Sequence, residues 1–390
     1  MKRLLIVDPD FLRSSPSMKG VLRSLPELRA AGFKIEVWCW EIESDVAVNH
    51  VTRLPTLGAR KLKLMQAILF SIQVTLLYLW RFQVRGQSRP DVVYSIVPYL
   101  PFCDVAHAHF SPWNWIGCME RMGCHSLRDR AELMAYQIYR RWSDFYLSVT
   151  SARLLIVPSQ AVAEDYQRQS PGHQIVVLPN SFDRARFHPG VRAEHRDAMR
   201  AKLGYSPQDC VFIFVSMGHH RRKGFFLAVE ALAKLRQRHS RVRFLVVGGT
   251  PSTLEGLQQR LNQEHPGWRE WMHFTGMVTD TERHFAAADG FLYPSWSEAL
   301  ALVEIEAAEC GLPVFLTPHH GSEMVIEDGM NGLLLPHEPA GMADVLETFV
   351  TGQWQPAHTG SRHGLDAAAY AAQLTKLILE SSHPSKLQHV

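Results

Sequence analysis

The sequence predicts an α/β protein made of two halves, each built around a parallel sheet. Three observations carry this reading. The run Lys2–Asp8 is continuously apolar rather than alternating, the pattern of a strand buried on both faces. A helix-like segment and a second apolar run, Lys34–Trp40, complete a β-α-β unit. The pattern then restarts at Val211–Ser216, with an amphipathic stretch over Phe225–Arg238 and a further strand over Arg243–Gly248. The 390 residues leave room for two domains of ordinary size.

Composition narrows the function classes. Lys and Arg number 41 against 38 Asp and Glu, a net charge of +3, too balanced to argue for nucleic acid as a partner. The six cysteines are Cys39, Cys103, Cys118, Cys124, Cys210 and Cys310. Cys118, Cys124 and His125 cluster, yet no second ligand pair follows, so reduced structural thiols are expected rather than a metal site. The first apolar run is too short for a signal peptide, and a cytoplasmic location is expected.

In the first half, the loop Pro9–Ser17 lies at the carboxyl end of the first strand, where doubly wound folds bind ligands. A helix is expected over Met18–Ala31, kinked or interrupted at Pro26. Asp8-Pro-Asp10 has the form of a divalent-metal motif, but a pattern this short arises often by chance, and no metal is expected there. From Leu64 to Trp80 the chain carries no charge, while Lys61, Lys63, Arg81, Arg85 and Arg89 flank it. Gln66, Ser71, Gln73 and Thr75 argue against a span of the ~20 apolar residues that a membrane crossing needs. Two readings stand: a helix covering the sheet, or one whose basic ends and aromatics (Phe70, Tyr78, Trp80, Phe82) rest on anionic lipid.

Pro90–Tyr94 and Asp104–His109 are the next strands. Alternation makes His107 a core residue, whereas His109 ends its strand at the ligand-binding edge. Trp113 and Trp115 follow, either to stack on a sugar or simply to pack. A long helix over Arg128–Ser151 and strands Leu154–Ser159 and Ile175–Asn180 complete the half. A polar helix, Arg192–Ala201, leads into Leu203-Gly204 and Pro207, and the boundary is placed near residue 208.

In the second half, Met217-Gly-His-His-Arg-Arg-Lys-Gly224 sets cations before a helix N-terminus, where charge and helix dipole both favour an anion such as a diphosphate. The stretch from Pro294 to Thr317 holds the other half of the expected site. Its helix is expected over Ala299–Glu309, ending at Gly311-Leu-Pro313. Glu298 precedes the helix and Glu306 lies about two turns in, roughly 10 Å along the axis. The unpaired N–H groups of the first turn lie between them, a ready diphosphate site with a sugar-binding carboxylate on each side. Glu304 and Glu309 read as solvated glutamates of an ordinary amphipathic helix.

At these residues the sequence resembles the retaining glycosyltransferases of family 4, whose signature pairs two glutamates eight apart. The likeness continues through Gly311-Leu-Pro-Val, Gly321-Ser-Glu323 and Asn331-Gly-Leu-Leu-Leu335. Arg222-Lys223-Gly224 has the spacing of the lipopolysaccharide-core glycosyltransferases. Where the family usually has glycines, this chain has Ala299 and Ala301, and its first loop offers Ser14, Ser15, Ser17 and Lys19-Gly20.

The resemblance implies the GT-B fold, two Rossmann-like domains facing across a cleft. It implies an acceptor domain at 1–184, a linker at 185–208, a nucleotide-sugar donor domain at 209–364 and, over 365–390, a helix crossing back to the first domain. It implies sugar transfer with retention, without metal or other cofactor, from a nucleoside-diphosphate sugar to a glycan or lipid-linked acceptor of the cell envelope. Such an enzyme would work in the cytoplasm or at the inner face of the plasma membrane. The catalytic residues would be His109 and Glu298. Arg222, Lys223, Val278, Ala299, Leu300 and Glu306 would bind the donor, and Ser17, Lys19 and Trp113 stand on the acceptor side. A sugar-nucleotide 2-epimerase of the same fold and a non-catalytic nucleotide-sugar-binding protein remain as alternatives.

Overall fold

The computed structural model describes residues 1–56, 58, 63–123 and 126–382, without the side chains of Pro16, Ser17 and Lys63. The chain divides into two compact units, Met1–Ser181 with Leu365–Val390, and Phe182–Gly364.

In the first unit the continuous apolar runs form a seven-stranded sheet. Its strands are β1 (Lys2–Val7), β2 (Phe33–Cys39), β3 (His50–Arg53), β4 (Val92–Ile96), β5 (Val105–His107), β6 (Leu154–Val157) and β7 (Gln174–Val177). All neighbours are parallel, in the order β3-β2-β1-β4-β5-β6-β7. Leu4, Leu5, Ile6 and Val7 are fully buried, as a strand covered on both faces requires.

The helices of this unit are α1 (Pro16–Ala30), α2 (Lys63–Tyr78, continued as a π-helix over Leu79–Val84), α3 (Pro112–Met122), α4 (Leu127–Val149) and α5 (Gln160–Gln169). Helix α1 starts at Pro16, at a position where a missing N–H costs nothing, and runs on through Pro26 without interruption. Helix α4 begins with a capping box in which Ser126 and Asp129 satisfy each other's backbone N–H groups. Leu64–Val84 is long and apolar enough to cross a bilayer by length and composition. One face of it, however, belongs to the core: Ala67, Phe70, Ser71, Val74 and Tyr78 are buried. Cys124 and His125, like Arg60 and Lys61, lie outside the described residues, and the other five cysteines are free thiols.

The second unit repeats the plan. Its strands are β8 (Cys210–Val215), β9 (Val242–Val247), β10 (Met272–Gly276), β11 (Gly290–Tyr293), β12 (Val314–Leu316) and β13 (Gly332–Leu334). They form a parallel sheet in the order β10-β9-β8-β11-β12-β13. Numbered within the unit this is 3-2-1-4-5-6, the order of dinucleotide-binding folds, and it reverses direction between β8 and β11. The helices are α6 (Gly190–Leu203), α7 (Phe225–Arg238), α8 (Pro251–Glu264), α9 (Thr281–Ala287), α10 (Leu302–Glu309), α11 (Ser322–Val325) and α12 (Pro339–Val350). The connections β8–α7 and β11–α10 therefore leave the carboxyl edge at the switch point, where such folds bind ligands.

The stretch expected as a linker, 185–208, is an integral part of the second unit. Arg192, Arg196 and Arg200 recur every four residues on one face of α6. Their guanidinium groups donate to the carbonyls of Ala288, Ala286 and Ala287, the unpaired C-terminal end of α9. Arg200 also reaches Asp289 at 3.2 Å. The polar helix read as part of a linker is thus the cap of a neighbouring helix.

The final helix, α13 (Ala367–Ser381), packs on α1 of the first unit. Leu374 and Ile378 are buried in the core with Met18 and Val21, and Gly20 lies under the Tyr370 ring. Replacing Leu374 with Ala should destabilise the first unit by about 2–5 kcal/mol in urea unfolding, with unfolding of the second unit unaffected.

Candidate functional site

The site in the second unit begins with two loops that could not approach each other with ordinary residues. Gly224 adopts a left-handed φ of 75° at the start of α7. A Cβ there would lie 1.8 Å from the Pro294 carbonyl oxygen, so only glycine fits. The contact lets the Trp296 N–H donate to the Arg222 carbonyl at 2.9 Å, while the Ser295 hydroxyl donates to the same carbonyl at 3.3 Å. The basic turn after β8 and the acidic turn after β11 are thereby one backbone-bonded unit.

Side chains then lock it. The Lys223 ammonium forms an ion pair with Glu298 that is almost wholly buried. Glu298 also accepts from the Ser295 hydroxyl at 2.9 Å and the Tyr293 hydroxyl at 3.3 Å. Burial pushes the Glu298 carboxyl up, but the Lys223 and Arg222 cations and His319 outweigh it and hold it down at about 2. Glu298 is therefore an anion throughout the neutral range. Lys223 lies 5.4 Å from the centroid of the Tyr293 ring, a second anchor for its stem.

Other sequence expectations shift. Helix α10 starts at Leu302, with Ala301 as its extended N-cap, rather than at Ala299. Ala299 and Leu300 lie in the turn before it, Leu300 buried. The first local hydrogen bond runs from the Glu304 N–H to the Ala301 carbonyl, so the amides of Ala301, Leu302 and Val303 precede the helical ladder. Glu306 is half-buried on α10, and Val278 is half-buried in the turn after β10. His220, counted among the potential cations of the basic turn, is a buried neutral ring between Phe214 and Phe225, its pKa lowered by burial to about 4.

Glu304 and Glu309 are not the solvated glutamates that their helix suggested. Glu304 is fully buried and pairs with His319 at 2.8 Å. It sits three and four residues before the buried Ala307 and Ala308, and that spacing was the available signal. Glu309 is half-buried and accepts from the Ser361 N–H at 3.0 Å. His319 had no local signal, since its partner arrives from a different segment of the chain.

In the first unit, His107 is buried with Nδ1 against the Tyr94 hydroxyl, as a core histidine. His109 follows the end of β5 and stacks on His107, ring centroids 4.0 Å apart. Burial lowers the His109 pKa to about 4, so its ring is neutral at pH 7. Trp113 packs edge-on against Tyr166 and donates to Asp144 at 3.0 Å, and Trp115 is buried. Lys19 is half-buried in α1, whereas Ser17 lies in its first turn with a side chain outside those described. Asp8 is buried and accepts from the Asp10 N–H, and burial raises its carboxyl to about 8.

Residues 209–351, nearly the whole of the second unit's sheet and its helices, match the family model described as glycosyl transferases group 1. The chain is 29% identical over 207 residues to the lipopolysaccharide glucosyltransferase WaaG of Escherichia coli (strain K12), covering 52% of this chain and 54% of that protein. It is 32% identical over 232 residues to the D-inositol 3-phosphate glycosyltransferase of Corynebacterium jeikeium (strain K411), with 54% of each covered. The chain thus spans about half the length of the curated relatives it matches. Among solved structures, the WaaG crystal structure superposes with a TM-score of 0.67 at 19% identity, over 96% of this chain and 99% of that one. Anabaena HepE, solved in complex with UDP and glucose, superposes with a TM-score of 0.62 at 18% identity, over 97% of this chain and 100% of that one. The chain has the GT-B fold, two Rossmann-like units, and the second unit holds the stretch that matches the glycosyl transferases group 1 model.

Proposed function

We propose that this protein is a retaining glycosyltransferase that moves a sugar from a nucleoside-diphosphate sugar to a glycan or lipid-linked acceptor of the cell envelope. The observation that carries the reading is the union of the Arg222-Lys223 turn with the Glu298 loop, at the switch point of a sheet whose domain matches glycosyl transferases. A cationic turn and the amides that precede the helical ladder of α10 are two independent anion-binding devices. A diphosphate satisfies both. The kinship to WaaG, named as a lipopolysaccharide glucosyltransferase, supports an envelope acceptor.

In this reading Arg222 and Lys223 meet the charge that grows on the departing diphosphate, so no metal ion is required. Ala299 and Leu300 border the phosphates, and Val278 lines the nucleotide base. Glu298, kept ionised by Lys223, accepts hydrogen bonds from hexose hydroxyls, and Glu306 accepts from the ribose diol. His109, neutral, offers its carbonyl or imidazole to the hexose. Lys19, Ser17 and Trp113 stand on the acceptor side. Attack comes on the face that the diphosphate leaves. The anomeric carbon–oxygen bond to the β-phosphate breaks, a bond to the acceptor oxygen forms, and the acceptor's proton passes to the departing phosphate.

A peripheral membrane position fits the same reading. Beyond its buried face, α2 with its extension exposes Met65, Ile72, Leu76, Trp80 and Val84. The Arg85 guanidinium lies 4.3 Å from the centroid of the Trp80 ring. Helix α4, which packs beside α2, exposes Leu127, Met134, Ile138, Phe145 and Val149 along one side. Apolar side chains bordered by arginine suit a surface of anionic lipid.

Three measurements test these proposals. Thermal-shift screening of nucleotide-sugars should find one that stabilises the protein. Turnover of that donor with an acceptor extract should then fall by about 10²–10³ in Arg222→Ala and Lys223→Ala. Unchanged turnover in Lys223→Ala rules out the phosphate assignment, and conversion of the donor without any acceptor points to the epimerase instead. In sedimentation with phosphatidylglycerol vesicles the wild type should pellet, and Ile72→Glu with Leu76→Glu should stay several-fold more in solution. Equal pelleting of both proteins would remove the membrane proposal.

A further inference from the structure

The second unit contains a buried charge cluster that the donor-binding roles above do not use. Glu304, in the first turn of α10, and His319, in the loop between β12 and α11, pair at 2.8 Å with both side chains fully buried. Among the described residues, Glu304 Oε2 and His319 Nδ1 have no hydrogen-bond partner. Burial raises the Glu304 carboxyl, with His319 opposing. Burial lowers the His319 imidazole, yet the Glu304 carboxylate outweighs it, and the imidazole titrates above its ordinary value.

Such a pair is an expensive way to stabilise a fold, because two leucines of similar volume generally do as well or better. Its position suggests another use. Two residues beyond His319, Gly321 presses on the backbone between Glu298 and α10. At its φ of 89°, a Cβ would come within 2.6 Å of both the Ala299 carbonyl oxygen and the Leu300 Cα. The Ser322 hydroxyl donates to the His319 carbonyl at 2.7 Å and accepts from the His319 N–H at 3.3 Å, fixing the loop on its own helix. The loop therefore backs the segment that carries the phosphate-facing amides, and the Glu304–His319 pair ties the loop to the helix those amides introduce. The charged groups around this pair are Glu298 and Lys223, from the two bonded loops, with Arg222 and the Tyr293 hydroxyl beside them.

We propose that Glu304 and His319 are positioning residues for the donor. Their buried pair holds the Ala299–Leu300 backbone and the Glu298 carboxylate where a nucleoside diphosphate and its sugar are bound. The proposal rests on the second unit being the nucleotide-sugar-binding half. Neither side chain touches the reacting atoms in this scheme, and both act through the segment they brace.

The test uses the full chain and calorimetric titration with UDP, ADP and GDP. Single alanine variants leave one buried charge unpaired and so confound folding with binding. Glu304→Leu combined with His319→Leu removes both charges together. This double variant should keep the wild-type melting temperature or exceed it, while the nucleotide that binds wild type binds at least tenfold more weakly. Glu304→Gln keeps an acceptor for the His319 N–H and should restore affinity to within about threefold, which a merely space-filling role would not require. Wild-type affinity in the double variant overturns the positioning role while leaving the nucleotide-binding reading intact. If none of the three nucleotides binds the wild type, that reading fails and the positioning role with it.

Discussion

The second unit depends on one close approach, the backbone of Gly224 against the carbonyl of Pro294. Without it, the turn after β8 and the turn after β11 would be two ordinary surface loops at the edge of a sheet. With it, the Arg222 carbonyl becomes the acceptor for the second loop, and Lys223 is delivered to Glu298 in a site that solvent barely reaches. A buried ion pair of this kind contributes little net stability against an apolar replacement, because desolvation offsets most of the attraction. Its value is geometric. It places one cation and one anion at fixed positions beside the amides that precede the α10 ladder.

Burial then sorts the titratable groups into roles. Glu298 is surrounded by cations and stays ionised, suited to accepting hydrogen bonds from hydroxyls. His220 has no such partner among the described residues and lies among phenylalanines, so it is neutral and structural. Asp8 in the first unit is the counter-case, a buried carboxyl that burial and the neighbouring Asp10 charge push up to about 8. His109 is neutral for the same reason as His220, which makes it a hydrogen-bonding group rather than a charge. The same residue types thus carry different chemistry according to which neighbours the sheets bring to them.

Much of this was legible in the sequence. The continuous apolar runs marked the parallel strands, because a strand covered on both faces has no polar side to show. The Arg222-Lys223-Gly224 and Glu298 motifs were visible because cations before a helix start, and a carboxylate just ahead of another, are patterns carried by neighbouring residues of the chain. What escaped depended on partners distant in the chain. The arginines of α6 look like those of a polar helix in a linker until the carbonyl end of α9 lies under them. His319 looks like a loop residue until Glu304 faces it across a segment of fifteen residues. The start of α10 moved because the N-cap is Ala301, a residue with no side-chain oxygen to announce a cap.

In the proposed function, a diphosphate is held in the second unit from two directions, by the cationic turn and by the amides that introduce α10. The most direct measurement is a crystal structure of the protein with the nucleoside diphosphate that stabilises it. It should show phosphate oxygens within hydrogen-bonding distance of the Lys223 ammonium and the Arg222 guanidinium, with the Glu306 carboxylate on the ribose. A diphosphate bound elsewhere, or Glu306 turned away from the nucleotide, would contradict it.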